Sequence, residues 1–523
     1  MVTTSSVAYA RRWWVLLVLS ASVFLVVVDN LIINVALPTL QRELNAETSS
    51  LQWIVDAYAL VFACLLLAGG GIGDRLGRKR AMQVGLVVFA ACSGAAAFAE
   101  TSTQLIVWRG AMGVGAALVF PATLAIITNL FTDPVERAKA IGIWSAVSGM
   151  AVAFGPIAGG FLLEHFWWGS VFLVNLPIVA VALTAGAVLV PESKSTEVGR
   201  LDTVGLLLSF LGIAALVFTV IESPHWGWGS LRSVLGFVVS VAVLAAFVWW
   251  ELRREHPLLD VRFFRNARFS AATGSIGIAF FSLFGFTFLV TQYFQFVRGY
   301  DPLESGVRTL PFALGAGITA PIAARAALRW GTKRVVTLGL LLMSIGFFVI
   351  GTVDADAAYF GPIIVSMVIM AMGLSLVTSP STDAVMGTLP LDKAGVGSAV
   401  NDLSREVGGT LGVAVTGSVF VSLYGPRLTE RFAQIPELGE SLSPEVVEVA
   451  SNSVGAAYAV AQQVPAAAAA PMLQAVSDSF MHGFGTACLV VSAVALLGSF
   501  AALRFLPARS DARGQGMRDT MAT

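Results

Sequence analysis

The sequence is short of charge. Only 12% of its 523 residues are Asp, Glu, Lys or Arg, about half the roughly 25% of a soluble domain. Basic and acidic residues cancel at 32 each, so no net field points to nucleic acid or to an anionic partner. Cysteine is scarce. Cys64, Cys92 and Cys488 all lie inside apolar blocks, and an odd, embedded set makes no disulfide framework. The four histidines, His165, His225, His256 and His482, are scattered near block ends without metal-ligand spacing, so no metal site is expected. The sequence has no G-x-x-x-x-G-K-[ST] loop, which argues against a self-contained ATP-driven pump. No Ser-His-Asp set or haem-binding His pair lies in the apolar blocks, and no sizeable soluble domain is present. Neither an enzyme nor a receptor is therefore indicated, and no cofactor is expected. A cleavable leader is not expected either. The first apolar run, Trp13 to Val28, continues past Asp29 to Pro38 without a small-residue cleavage site, too long for a signal h-region.

What is abundant is apolar sequence, 56% of the chain, arranged in repeated blocks of the roughly 20 residues that span a bilayer as a helix. We read fourteen spans, at about 13–37, 52–73, 81–99, 104–128, 140–163, 169–190, 203–222, 232–250, 269–293, 306–328, 335–353, 359–383, 397–424 and 482–505. The expected fold is all-α and polytopic. With both termini inside, 24 Lys and Arg residues fall on the inner side and five outside. That asymmetry predicts cytoplasmic termini in a cell membrane. Two longer connections stand out. Glu251 to Arg268 is inner. Gly425 to about Phe480 is outer and reads as an extracellular hairpin or helical cap.

A faint repeat divides the chain. Gly77-Arg78-Lys79-Arg80 follows the second span, and Gly331-Thr332-Lys333-Arg334 follows the tenth. With spans seven and eight as an insertion, the two loops occupy equivalent places in two six-helix halves, a transporter signature. The expected division is residues 1–190 as the first half and 191–268 as two inserted helices with an inner linker. Residues 269–523 make the second half, with the outer segment at about 425–480.

Six segments carry chemistry. The first inner loop reads Gly70-Gly71-Ile72-Gly73-Asp74-Arg75-Leu76-Gly77-Arg78-Lys79-Arg80. Glycines let helix ends approach, Asp74 can cap a helix or pair with an arginine, and the bases hold the loop inside. Span five contains Gly155-Pro156-Ile157-Ala158-Gly159-Gly160, small residues for close packing with a proline that bends the helix. Span four carries Arg109 in Trp108-Arg109-Gly110-Ala111-Met112-Gly113. An arginine inside a span costs several kcal/mol unless it is paired or wetted. Span one reads Val28-Asp29-Asn30-Leu31-Ile32-Ile33-Asn34-Val35-Ala36-Leu37-Pro38, and span two opens Trp53-Ile54-Val55-Asp56-Ala57-Tyr58. Span thirteen holds Arg405-Glu406-Val407-Gly408-Gly409-Thr410-Leu411-Gly412. An acid within a span is a functional candidate by default. Asp29 is the deepest of them, followed by Asp56 and Glu406, while Asp402 and Arg405, three apart, can pair along one helix. Span nine has aromatics on every face, from Phe280 to Phe294.

Together these segments resemble the major facilitator superfamily, and within it the fourteen-helix drug:proton antiporters of the EmrB/QacA type. The inner loop matches that superfamily's G-x-L-x-D-R-x-G-R-K/R pattern, and span five matches the G-P-x-x-G-G antiporter motif, with Ala151 where an earlier glycine is usual. Met112, Leu31 and Glu406 stand where Gln, Thr and Gln are common. The resemblance implies export of small amphipathic compounds such as drugs, dyes or antibiotics in exchange for protons, by a single chain in the bilayer. The alternative on the same scaffold is a dedicated exporter of one natural product or lipid-like metabolite. It implies proton coupling at Asp29, Arg109, Asp56 and Glu406, and a substrate cavity lined by Asp29, Asn34, Asp56 and Glu406. The inner gate would comprise Gly70, Asp74, Arg75, Gly77, Arg78 and Lys79, and the antiporter motif Gly155, Pro156, Gly159 and Gly160.

Overall fold

The computed structural model describes residues 11–194, 202–255, 257–388, 394–435, 443–464 and 466–507. Among these every regular element is a helix. A first bundle contains α1 (Arg12–Glu43), α2 (Thr48–Leu76), α3 (Arg78–Ala97), α4 (Ser102–Leu130), α5 (Pro134–His165) and α6 (Ser170–Leu189). Next come α7 (Thr203–Trp226) and α8 (Leu231–Arg253), which pack on each other. A second bundle starts with α9 (Ala267–Val297), α10 (Pro302–Trp330), α11 (Thr332–Gly351), α12 (Tyr359–Met386) and α13 (Ala394–Ala433). Two short helices follow, α14 (Pro444–Asn452) and α15 (Val454–Ala461), before α16 (Ala466–Phe505) completes the second bundle. Thirteen of these helices are long and apolar enough to cross a membrane. The 32-residue α5, packed along α1, is the remaining long one. The total agrees with the fourteen spans expected.

Local chemistry starts and stops these helices. Thr101, Asp133, Ser230 and Asp301 each accept a hydrogen bond from a backbone N–H in the first turn of α4, α5, α8 and α10, respectively. Pro134 and Pro302 occupy the first turn, where a missing N–H costs nothing. Gly77 and Gly331 break α2 from α3 and α10 from α11 at φ of +112° and +86°, a region that favours glycine. The faint repeat in sequence is thus a repeated backbone turn.

The segment at about 425–480 is more helical than hydropathy suggests. The helix α13 runs on to Ala433, and α16 begins at Ala466, sixteen residues before the expected start at 482. Each has 40 residues, about 60 Å of helix, against roughly 30 Å of hydrocarbon. Hydropathy ends a span where lipid ends, whereas the Ala-rich start of α16 keeps its helical propensity in water. Residues 436–442 and 465 of this segment lie outside the described residues. Its helices α14 and α15 form a cap. Thr48 donates to the Asn452 carbonyl at 3.1 Å, Gly455 N–H donates to Gln41 Oε1 at 3.3 Å, and Tyr458 stacks on Phe296 at 5.7 Å.

We call the side with the start of α1 and the end of α16 the termini face, and the capped side the far face. The bundles meet along α2–α13, α1–α9 and α5–α10. Polar bonds seal that seam toward the far face. Gln52 donates to the Ala414 carbonyl at 2.9 Å, and Gln295 to the Val35 carbonyl at 2.9 Å. By contrast α8 presents Leu231, Val234, Leu235, Val238 and Val239 outward, as a helix in lipid can without cost.

Candidate functional site

The helices bring four polar side chains of the first bundle together in an otherwise apolar interior. Asp29 on α1 and Arg109 on α4 form an ion pair at 2.5 Å, with both side chains 0% exposed. Arg109 Nε donates to the Ile54 carbonyl at 3.1 Å, and its guanidinium lies 4.3 Å from the centroid of the Tyr58 ring. The other carboxylate oxygen of Asp29 accepts from Asn175 Nδ2 on α6 at 2.7 Å. Asn175 also donates to Ser93 Oγ on α3 at 3.0 Å, and Ser93 donates to the Phe172 carbonyl at 2.8 Å. A chain of donors therefore fixes both oxygens of one buried carboxylate. Such an arrangement offsets the several kcal/mol per ion that desolvation costs. Arg109 Nη2 is buried without a partner.

A different arrangement holds where the two bundles meet. Asp56 is 0% exposed, and both of its carboxylate oxygens are buried without a hydrogen-bond partner. Gln52, one turn earlier on the same face of α2, bonds α13 at Ala414, so Asp56 is carried on the side toward α13. One turn back along antiparallel α13, the Thr410 hydroxyl is also buried and unpartnered. One turn further is Glu406, half-buried, with Oε2 unpartnered. Glu406 lies within electrostatic reach of Tyr58, as do Asp29 and Arg109. Three of the four charges expected from sequence, Asp29, Arg109 and Glu406, are thus grouped around one tyrosine, with Glu406 contributed by the second bundle. Asn34 is buried farther along α1. It donates to the Asn30 carbonyl at 3.1 Å, and its own amide oxygen is unpartnered. Arg405 points elsewhere, 3.9 Å from Asp402 and 5.3 Å from the centroid of Phe280.

At the termini face, Asp74 pairs with Arg78 at 2.8 Å, and Arg78 reaches the Ala125 carbonyl at 3.3 Å. Lys79 Nζ donates to the Ala187 carbonyl at 2.7 Å, and Arg75 is exposed. A Cβ at Gly70 would make ordinary contact with Pro121 at 3.7 Å. A Cβ at Gly77 would meet the Glu192 carboxylate at 2.6 Å. On α5, Gly155 and Gly159 lie against α1, where a Cβ would meet Leu31 at 2.9 Å and Ile32 at 3.0 Å. Gly160 and Pro156 lie against α10, at Pro302–Leu303 and at Gly306. Small residues here let three helices of the seam touch backbone to backbone. The sequence profile of the Major Facilitator Superfamily matches residues 19–413, a stretch that holds these motifs.

The chain belongs to the major facilitator superfamily. It is 35% identical to the multidrug efflux pump LfrA of Mycolicibacterium smegmatis, over 93% of this chain and 96% of that one. It is 32% identical to the tetracenomycin C resistance and export protein of Streptomyces glaucescens, over 98% and 95% of the two chains. It is also 32% identical to the methyl viologen resistance protein SmvA of Salmonella typhimurium, over 93% and 97%. In fold it is similar to a bacterial homologue of the lysosomal transporter Spinster, with a TM-score of 0.64 at 15% identity, covering 94% and 98% of the two chains. This facilitator is a multi-pass membrane transporter of the drug:proton antiporter branch, not an enzyme.

Three parts of the facilitator's site escaped sequence reading. Asn175 and Ser93 read as ordinary polar residues in apolar spans, and only the packing of α3 and α6 on α1 aims them at Asp29. Glu192 lies beyond the last residue of α6. It accepts from Lys79 N–H at 3.1 Å and pairs with Arg80 at 3.7 Å, docking the loop between α2 and α3 from 113 residues away. The aromatics of α9 are sorted by packing. Phe286, Phe288, Tyr293 and Phe294 are buried in the second bundle, while Phe280, Phe281 and Phe284 stay half-buried opposite α13.

Proposed function

We propose that this chain exports amphipathic, preferentially cationic compounds against their gradient, driven by protons, with Asp29 as the essential proton carrier and Arg109 as its counter-charge. The carrying observation is the fully enclosed Asp29–Arg109 pair. A proton added to Asp29 removes the Coulomb partner of Arg109, so proton binding and the packing of α1, α4 and α6 are linked. Each pH unit contributes about 1.4 kcal/mol per proton, a tenfold concentration ratio for a neutral solute.

On this reading residues 1–190 and 269–523 rock against each other, residues 191–268 flank them, and the transporter acts as a single chain in the plasma membrane. The 24-to-5 excess of bases supports cytoplasmic termini. The sealed far face is then the external one, and the protein stands ready to load from inside. Asp74 and Arg78, paired with each other here, would turn to the second bundle when the inner side closes. Unpartnered Asp56 and Glu406 support a preference for cations. So does the likeness to a methyl viologen resistance protein, methyl viologen being a dication. The likeness to a tetracenomycin exporter keeps a dedicated natural-product exporter as the second reading.

Inside-out vesicles test the carrier. Uphill, pH-driven accumulation of a lipophilic cation is expected with the wild type and is abolished by Asp29→Asn, while equilibrium binding persists. Retained uphill transport in Asp29→Asn excludes it as the carrier. Cysteines at exposed Glu448 and Lys194 test orientation with an impermeant thiol reagent on intact cells. Labelling at residue 448 and not at 194 is expected, and the reverse overturns the topology.

A further inference from the structure

A cavity of about 650 Å³ lies apart from the charge network, between the end of α5 and the beginnings of α10 and α12 on the far face. Its wall is largely apolar, with Leu303, Leu314 and Ile364 among the lining residues and Phe360, 84% exposed, at the edge. Phe360 is held there by a non-helical kink at Phe360–Gly361, ahead of the regular part of α12. Three carboxylates and one guanidinium also line the cavity: Glu164, Asp301, Glu304 and Arg308. Three minus one leaves two negative charges.

The cation is already engaged. Arg308 bonds Glu304 at 2.5 Å and lies 4.3 and 4.4 Å from the ring centroids of Tyr300 and Tyr359. Asp301 accepts the Glu304 N–H at 2.6 Å as the cap of α10. Glu164 has no side-chain hydrogen bond or ion pair among the described residues. It sits one turn beyond Gly160, whose backbone touches Pro302 and Leu303. Glu164 therefore belongs to the first bundle and Asp301 to the second, and the cavity has both walls only while the far face is closed. Both carboxylates are exposed, so water screens their repulsion, and a cation placed between them would attract both walls of the cavity at once.

We propose that this cavity is a second binding site, for an amphipathic ammonium ion, and that its occupant holds the two bundles together on the far face. The ammonium group sits between Glu164 and Asp301 with the Phe360 ring at its side. The alkyl part lies along the apolar wall toward lipid-exposed Leu314. The volume suits a ligand of that size. Bound there, the ligand opposes far-face opening and slows export, an effect that rests on the exporter reading, whereas binding and closure do not. A lipophilic ammonium drug and an aminophospholipid headgroup share the required chemistry.

The experiment uses full-length protein in nanodiscs of phosphatidylglycerol alone, spin-labelled at cysteines replacing Thr101 and Asp354 on the far face of the two bundles, with the native cysteines removed. Titration with dodecyltrimethylammonium is expected to raise the population with the short interlabel distance. Glu164 is exposed, so Glu164→Gln is expected to raise the half-maximal concentration severalfold, the weight of one solvent-screened charge pair. Phe360→Ala should weaken the response further, while export at low substrate concentration stays at the wild-type rate in Glu164→Gln. An equal response in wild type and Glu164→Gln places the ligand elsewhere and overturns the proposal, as does no response in the wild type. Nanodiscs containing phosphatidylethanolamine separate the sources. A Glu164-dependent closed state without added ammonium identifies the occupant as the lipid amine. A distance response without any export in proteoliposomes would count against the exporter reading and leave the site standing.

Discussion

Asp29 and Asp56 lie on neighbouring helices of the same bundle, both fully buried, yet their surroundings are opposite. Asp29 has a guanidinium on one oxygen and an amide on the other. Asp56 has nothing on either. The first carboxylate is held by three helices of one bundle, so its charge is compensated whatever the second bundle does. The second is turned toward α13, across the seam that parts in the proposed cycle, where a fixed partner would be lost each time. Charges that must survive the conformational change are partnered within a bundle. Those at the moving boundary are left to what occupies the boundary, whether substrate, proton or the opposing bundle.

Breaking the paired member should have the largest effect. Arg109→Ala strands Asp29 as a buried, uncompensated carboxylate, a cost of about 3–5 kcal/mol. Membrane-inserted protein is expected to lose thermal stability, and uphill export to vanish. The double variant Asp29→Asn with Arg109→Gln should melt closer to the wild type than Arg109→Ala does. If the double is the less stable of the two, the pair is not a charge-compensated unit.

The seam comes next. At Gly160 a Cβ would meet the Pro302 carbonyl at 2.5 Å and Leu303 Cα at 2.6 Å, contacts that force α5 and α10 apart. Gly160→Val is expected to lower export at least tenfold and to lengthen far-face distances between spin labels. Wild-type distances would show that the bundles do not close there.

Asn175→Leu removes one donor from Asp29 and leaves the ion pair, a loss of about 1–3 kcal/mol. Export is expected to fall severalfold, with its dependence on pH displaced from that of the wild type. An undisplaced profile would reduce Asn175 to a packing residue.

The smallest loss of stability belongs to the unpartnered acids. Asp56→Asn removes a buried carboxylate that no hydrogen bond or ion pair compensates and should raise stability, and half-buried Glu406→Gln removes no ion pair or hydrogen bond and should not lower it. Both should weaken export of cations more than of neutral compounds of similar size. Equal loss for both classes would remove the basis for a charge preference, and a large drop in melting temperature would mean that these acids have partners in the resting protein.

Much of this architecture is legible in one dimension because the bilayer leaves few choices. Apolar blocks of about 20 residues must become helices, since lipid satisfies no backbone group. Gly77 and Gly331 mark the two repeated turns, and Gly155 to Gly160 announce a close helix contact without naming the partner. The sequence also determined which charges lie inside the membrane, and among them Asp29 and Arg109 stand out because each would be untenable alone. It could not say that α16 begins at Ala466, because helical propensity persists in water after hydropathy ends. Nor could it say that Asn175 and Ser93 serve Asp29, that Glu192 anchors the loop at Gly77, or which aromatics of α9 are core. Spacing along a helix fixes which residues share a face, but the neighbour of that face is chosen by packing between helices tens to hundreds of residues apart. Only the tertiary structure decided that the two bundles close on the far face, that Asp29 is satisfied there and that Asp56 is not. Those outcomes depend on which surfaces meet, and local sequence does not encode distance across a seam.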